Sequence, residues 1–211
     1  MMRYVAFLLV ALGALSSLAP AGAAQIRLNE ILADPATDWN GDGEISSKLD
    51  EWVEIMNIGS SEVDLSSYRL SDESSGTEWR YVLSGTLAPG EVLVIFGSRV
   101  VEWQSANGVP AFGLSLNNSG DTVTLYEESG GQAIVSDAHT YKSTEIADDR
   151  AVGRLPVGTG EWVVFDGLNP YSGSAFPSTG CPPSPGQTIQ CATPIETSSW
   201  GSVKSMYGKL R

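Results

Sequence analysis

The chain has 211 residues, with 25 Asp and Glu against 12 Lys and Arg, for a formal charge of −13. A net field of that sign repels polyanions and gathers cations, which counts against a general nucleic-acid binder. The length suits one domain with a sizeable core, two small domains being the other arrangement it allows.

At the N-terminus Arg3 precedes an apolar run from Val5 to Leu18 and the small-residue stretch Ala21-Gly22-Ala23-Ala24, the layout of a cleavable signal peptide over residues 1–24. A membrane anchor is the competing reading. The apolar run is shorter than the roughly 20 residues that span a bilayer, and Pro20 interrupts its end. Cleavage removes Arg3 and no acid, so the charge moves from −13 to −14. Export predicts a secreted protein, whether periplasmic, cell-surface or extracellular. No second apolar stretch reaches spanning length.

The first strand is predicted over Ile26 to Ala33. It is followed by Asp38-Trp39-Asn40-Gly41-Asp42-Gly43-Glu44-Ile45-Ser46-Ser47-Lys48-Leu49-Asp50-Glu51, which looks like an EF-hand or dockerin calcium loop. Side-chain oxygens at positions 1, 3 and 5 would be Asp38, Asn40 and Asp42. Gly43 makes the sharp turn, the Glu44 carbonyl serves at position 7, and Ile45 packs at position 8. Calcium takes six to eight hard oxygens at about 2.3–2.6 Å, which alternate residues of a curled loop supply. The pattern departs at position 12, where Leu49 replaces a carboxylate and Asp50 stands one place later. A one-residue expansion brings Asp50 to the ion, whereas a solvated Asx-rich turn is the bland alternative. Either way the role is structural, ordering the connection between two early strands.

Further strands are expected at Trp52 to Ile58, Tyr68 to Leu70, Tyr81 to Leu83, Val92 to Phe96, Thr122 to Tyr126, Ala133 to Val135 and Trp162 to Phe165. Turn chemistry separates them, including Asn57-Ile58-Gly59-Ser60, Pro89-Gly90, Asn117-Asn118-Ser119-Gly120 and Ser129-Gly130-Gly131. Many short strands with glycine-rich turns make an all-β sandwich or barrel. Val92-Leu93-Val94-Ile95-Phe96 does not alternate, so it reads as a central strand buried on both faces; Thr122-Val123-Thr124-Leu125 alternates and should face water on one side. No helical stretch of ten residues stands out before the C-terminus.

Cys181 and Cys191 are the only cysteines, and in an oxidising compartment an even, local pair reads as a disulfide, with two unrelated thiols as the alternative. The tail over 192–211 places Trp200, Val203, Tyr207 and Leu210 at helical spacing beside Lys204, Lys209 and Arg211. It reads as a short amphipathic helix or as a frayed terminus, two glycines weakening the first.

The order of motifs resembles the lamin tail domain in its bacterial secreted form. Asn29-Glu30-Ile31-Leu32, the Asp-rich loop and Asp50-Glu51-Trp52-Val53-Glu54-Ile55-Met56-Asn57 resemble its opening. Val63-Asp64-Leu65-Ser66-Ser67-Tyr68-Arg69-Leu70-Ser71-Asp72 is similar to its D-L-S-G-W-x-L-x-D stretch, with Tyr68 in place of Trp. Leu87-Ala88-Pro89-Gly90 matches its L-x-P-G turn, and Leu116 to Leu125 its L-x-N-x-G-D-x-V-x-L hairpin. Ala151-Val152-Gly153-Arg154, Glu161-Trp162 and Ser184-Pro185-Gly186 look like its closing elements. The resemblance covers 25–191 and implies an immunoglobulin-like β-sandwich acting as a non-catalytic interaction or architectural domain.

The expected function is a binding or scaffolding module, not an enzyme, whose partner is a protein or a cell-surface polymer. His139 is the lone histidine and has no G-x-S-x-G, H-E-x-x-H or Cys–His companion, so it reads as an ordinary strand-end residue. Two other readings are a metal-dependent, nuclease-like hydrolase using the acids between Asp38 and Glu54, and a surface component sorted through its tail. Glu30, Glu51 and Glu54 are expected at hydrogen-bonding strand positions, because a paired-carboxylate hydrolase needs two acids in one cleft.

Overall fold

The computed structural model describes residues 25–72 and 79–187; the predicted signal peptide, Cys191 and the tail over 192–211 lie outside them. Among the described residues eleven strands run as β1 (Ile26–Leu32), β2 (Trp52–Asn57), β3 (Val63–Asp64), β4 (Tyr68–Ser71), β5 (Tyr81–Val82), β6 (Thr86–Leu87), β7 (Val92–Phe96), β8 (Gly120–Ser129), β9 (Gln132–Lys142), β10 (Ala151–Leu155) and β11 (Glu161–Phe165), with one α-helix, α1 (Gly97–Ala106), after β7. A five-stranded sheet has the order β11-β10-β1-β2-β7, a four-stranded sheet the order β5-β4-β8-β9, and β3 pairs with β6. The paired strands are antiparallel. The whole is an immunoglobulin-like β-sandwich.

The two sheets enclose one apolar core, to which Ile26, Leu28, Ile31, Val53, Ile55, Ile95, Val152 and Val164 come from the five-stranded side and Tyr68, Leu70, Val123, Leu125 and Tyr141 from the other. Strand β1 changes parity halfway. A bulge between Leu28 and Glu30 inserts Asn29 against β2. A one-residue shift exchanges the faces that follow, so Ile31 continues the inner core while Glu30 and Leu32 turn outward. The outer face is covered as well: Leu32, Trp52, Ala151, Val163 and Phe165 form a second cluster, packed by Trp39, Val94, Phe96 and Cys181.

Two expectations are corrected. Strand β7 is an edge strand of the five-stranded sheet, not a central one, and most of its residues are only half-buried. Its unbroken apolar run arises because the main core takes Leu93 and Ile95 while the second cluster takes Val94 and Phe96. The second correction is α1, a ten-residue helix where none was expected. Its apolar signal is thin: Val100 and Gln104 are its buried side chains beside Gly97, and the polar Gln104 occupies a core-facing place by bonding to Arg80 O and to both backbone groups of Gly113. By contrast, β8 alternates buried Asp121, Val123 and Leu125 with half-exposed Thr122 and Thr124, as the sequence predicts.

The start of α1 is anchored to the chain that enters β2. Gly97 N donates to Glu51 O and Ser98 N to Leu49 O, satisfying two of the helix's first four donors. The backbone approaches so closely that a methyl group on Gly97 would collide with Lys48 O. Gly97→Ala is therefore expected to destabilise the protein by about 1–3 kcal/mol through overpacking, measured as a lowered denaturation midpoint in urea. Ser105→Ala, on the exposed side of the same helix, should leave the midpoint almost unchanged.

Candidate functional site

The acidic loop between β1 and β2 is organised by carboxylates accepting backbone N–H groups. Asp38 Oδ1 accepts from Gly41 N and Asp42 N and its Oδ2 from Gly43 N; Asn40 Oδ1 accepts from Asp42 N, and Asp42 Oδ1 from Glu44 N. Gly41 and Gly43 hold left-handed φ values of 77° and 91°, which glycine adopts without strain. Asp50 lies beneath, fully buried, its Oδ1 accepting from Trp39 N and Asn40 N and its Oδ2 from Ser46 N. Asp149 pins the other flank, Oδ1 accepting from Ala36 N, Thr37 N and, at 2.6 Å, Trp39 Nε1. Glu44 is exposed, and Ile45, expected to pack, is 64% exposed. The reason for that correction is local: Asp50, through Ser46, ties down the backbone that an Ile45 anchor would otherwise hold. Among the described residues no group of three or more His, Cys, Asp and Glu stands placed to hold a metal. The loop's own donor set is mixed, two carboxylates with an amide and a carbonyl.

A second set of acids lies on the outer face of the five-stranded sheet. Glu30 and Glu54 are cross-strand partners and both are buried. Glu30 Oε1 accepts from Ser184 N and its Oε2 from the Ser184 hydroxyl. Glu54 Oε2 accepts from Gly186 N at 2.6 Å and its Oε1 from Asn29 Nδ2, while Asn29 Oδ1 accepts from Gly158 N. The Ser184-Pro185-Gly186 segment is thus a strap laid over two glutamates that stand far from it in sequence. Burial pushes the Glu30 carboxyl up to about 8, with the neighbouring Glu54 charge adding to it; burial likewise raises Glu54 to about 7 against the lowering effect of its two donors.

Glu51 behaves differently. It is buried, its Oε2 accepts from Leu116 N at a long 3.3 Å, and it lines a cavity of about 310 Å³ together with Ser47, Lys48, Phe112, Ser115, Leu116 and Asn117. Desolvation raises its carboxyl to about 8, the backbone amides of Leu116 and Ser115 opposing and the charges of Asp121 and Asp72 adding. Ser115 holds a left-handed φ of 61°, an uncommon conformation for a residue with a Cβ.

His139 is not at a strand end. It lies within β9, its ring stacked 3.6 Å from that of Trp162. Burial, with the nearby Arg154 charge, pushes its imidazole down to about 3. No acid or nucleophile is bonded to it; its Nε2 is buried without a partner. Sequence reasoning named Glu30, Glu54, Ser184 and Gly186 but gave no sign that they meet, and it missed Asp149 and Asp166. Asp166 holds the 171–180 turn by accepting from Tyr171 N, Ser178 Oγ and Gly180 N. Neither residue sits in a recognisable local motif.

The family model of the Lamin Tail Domain matches residues 19–143, more than half of the chain, and the chain belongs to that family of non-enzymatic immunoglobulin-like domains. No curated protein matches it.

The strap makes a pH prediction. Glu30 and Glu54 have folded-state values raised above the ordinary 4.5, so the folded protein binds protons more tightly than the unfolded one. Their contribution is fully present below about 4.5 and is lost as pH rises through about 7 to 8. Unfolding free energy should therefore fall between pH 5 and pH 8.5, read from urea midpoints across about that range. Glu30→Gln keeps a partner for Ser184 N, and the Ser184 hydroxyl can turn to accept from the new amide. It should flatten the decline; an undiminished slope would show that the pair is not its source.

Proposed function

Taking membership of the lamin tail domain family as the starting point, we propose that the chain is a secreted, non-catalytic binding and scaffolding module. The observation that carries the reading is the use made of its buried acids. Glu30, Glu54, Asp50 and Asp149 are each engaged by backbone N–H groups or neighbouring amides, and the cross-strand pair Glu30 with Glu54 lies under the strap. An acid–base hydrolase needs two acids open to one substrate. Among the described residues no helix is long and apolar enough to cross a membrane, in keeping with export of the folded module into solution or onto a surface. The partner in this reading is a protein or a surface polymer.

Calcium belongs to the same proposal as a structural ion held by Asp38, Asn40, Asp42 and the Glu44 carbonyl, with Asp50 closing the loop beneath. Such an ion would neutralise the carboxylates of half-buried Asp38 and exposed Asp42 in a strongly acidic chain. Free Ca²⁺ at one hundred times its dissociation constant stabilises by about 2.7 kcal/mol, so calorimetric unfolding should show a higher midpoint in Ca²⁺ than in EDTA. Asp42→Ala should lose that shift, and neither protein should hydrolyse nucleic acid with Mg²⁺ or Ca²⁺. Metal-dependent turnover abolished by Asp42→Ala would overturn the non-catalytic reading.

A bond between Cys181 and Cys191 belongs to the proposal as well, closing a short loop that contains the strap. In the chain-entropy model it contributes about 2–3 kcal/mol. The folded and the denatured protein should take up no thiol-alkylating reagent until reduced, and mass spectrometry of the digest should give one linked peptide pair.

A further inference from the structure

We propose that the outer edge of β7 is a self-association surface, on which a second copy of this chain lays its own β7 antiparallel about a two-fold axis at Val94. The inference goes beyond the reading of the chain as a binding module and stands or falls separately from it.

Strand β7 ends the five-stranded sheet. Asn57 N donates to Glu91 O and Gly97 N to Glu51 O, so residues 91 and 97, and with them Leu93 and Ile95, face β2 in the antiparallel alternation. Val92, Val94 and Phe96 therefore turn their backbone groups outward. Among the described residues no hydrogen bond reaches the N–H or C=O of Val92 or Val94, or the N–H of Phe96. Such an edge is a template for another strand, and folds blunt it with charge, proline, a bulge, short length or a covering segment. The other sheet edges are so treated. Strand β5 has two residues; β9 is bulged against β8 and ties Asp137 to Arg154 and to Leu28 N of β1; β11 is covered by 177–179, Val164 N donating to Pro177 O and Thr179 N to Val164 O. Strand β7 has five residues without charge or proline, and its register against β2 runs unbroken.

A second copy suits this edge because the segment is complementary to itself. With Val94 opposite Val94 of the second copy, the two exchange N–H···O=C bonds, and Phe96 N of each copy donates to Val92 O of the other. Val94 and Phe96 are half-buried in the second apolar cluster, which the pairing continues across the axis. The same register sets Glu91 opposite Gly97, beside the first turn of α1 of the second copy. That turn holds no acid and no side-chain cap. Its Arg99 is exposed, lies over the Tyr81 ring and is in no ion pair among the described residues. Glu91 is exposed as well, and its carboxylate answers both the guanidinium and the positive end of the helix. The net charge opposes the approach of two copies, but salt near 0.15 M screens exposed charges beyond about 8 Å, which leaves the local pairs to decide.

The test is sedimentation velocity of the full mature chain in about 0.15 M salt. A dimer is expected with Kd on the order of 10 µM, without larger species, since a two-fold contact uses both edges and closes. Hydrogen exchange at the Val94 amide should slow as the protein is concentrated. Val94→Pro removes the central outward donor and none of the bonds to β2, and should abolish the dimer. Val92→Lys, at a half-buried position outside both clusters, should weaken it by about tenfold and decides the matter if the proline variant does not fold. Glu91→Arg or Arg99→Glu alone should weaken it by about threefold; the double variant, with the native net charge, should regain what either loses. A monomer at every concentration would overturn the proposal, as would full dimer affinity in Val94→Pro and Val92→Lys or a double variant no tighter than the weaker single one. Open-ended growth would overturn it too, because it shows an edge that pairs without the two-fold axis.

Discussion

The fold turns on acids that are buried without cations and answered by backbone N–H groups. A carboxyl group carried out of water is costly unless donors answer its oxygens. Glu30 and Glu54 meet this demand with Ser184 and Gly186. Because those donors belong to the chain after β11, satisfying the two acids obliges that chain to lie across the five-stranded sheet. The second apolar cluster, Leu32, Trp52, Val163 and Phe165 among it, is thereby covered by a segment with no strand pairing of its own beyond a single bridge between Val164 and Ser178.

The same device recurs wherever the chain is irregular. Asp50 and Asp149 gather the amides of the long connection between β1 and β2, Asp166 gathers those of the 171–180 turn, and Asn57 plays the neutral counterpart for the Pro89–Gly90 turn, donating to Leu87 O and Ser61 O. A carboxylate offers about four acceptor sites at one point, which lets one residue fix several consecutive amides that no ladder reaches. Acidity that looks from composition like solvated surface is in part internal scaffolding.

That distinction marks what the sequence makes legible. Alternation and turn chemistry locate most strands to within a few residues, since both act locally: β8 announces its solvent face through Thr122 and Thr124. Order within a sheet is another matter. The Val92–Phe96 run is apolar because two separate clusters claim its two faces, and nothing in five residues tells an edge strand with a covered outer face from a central one. The helix after it was illegible for a related reason, its core-facing Gln104 being tolerated only through Gly113 and Arg80, partners the local pattern does not contain. The candidate site was half visible. Asp38, Asn40 and Asp42 are spaced by a motif, so they were named; Glu30 and Ser184 lie 154 residues apart, and only the bulge at Asn29 turns the glutamate toward the strap.

The match to the family ends at residue 143, but the physical unit does not. Within that span lie Glu30 and Glu54, the apolar outer faces of β1 and β2, and the edge of β1 that pairs with β10. Beyond it lie β10, β11, the Asp149 carboxylate that fixes Trp39, and the amides that answer the two glutamates. A chain cut at the end of the match would expose a row of unpaired β1 backbone groups, an open apolar face and two buried-type acids at once, each a liability alone. Acids on the early strands and donors on the late ones are therefore complementary halves of one cooperative structure.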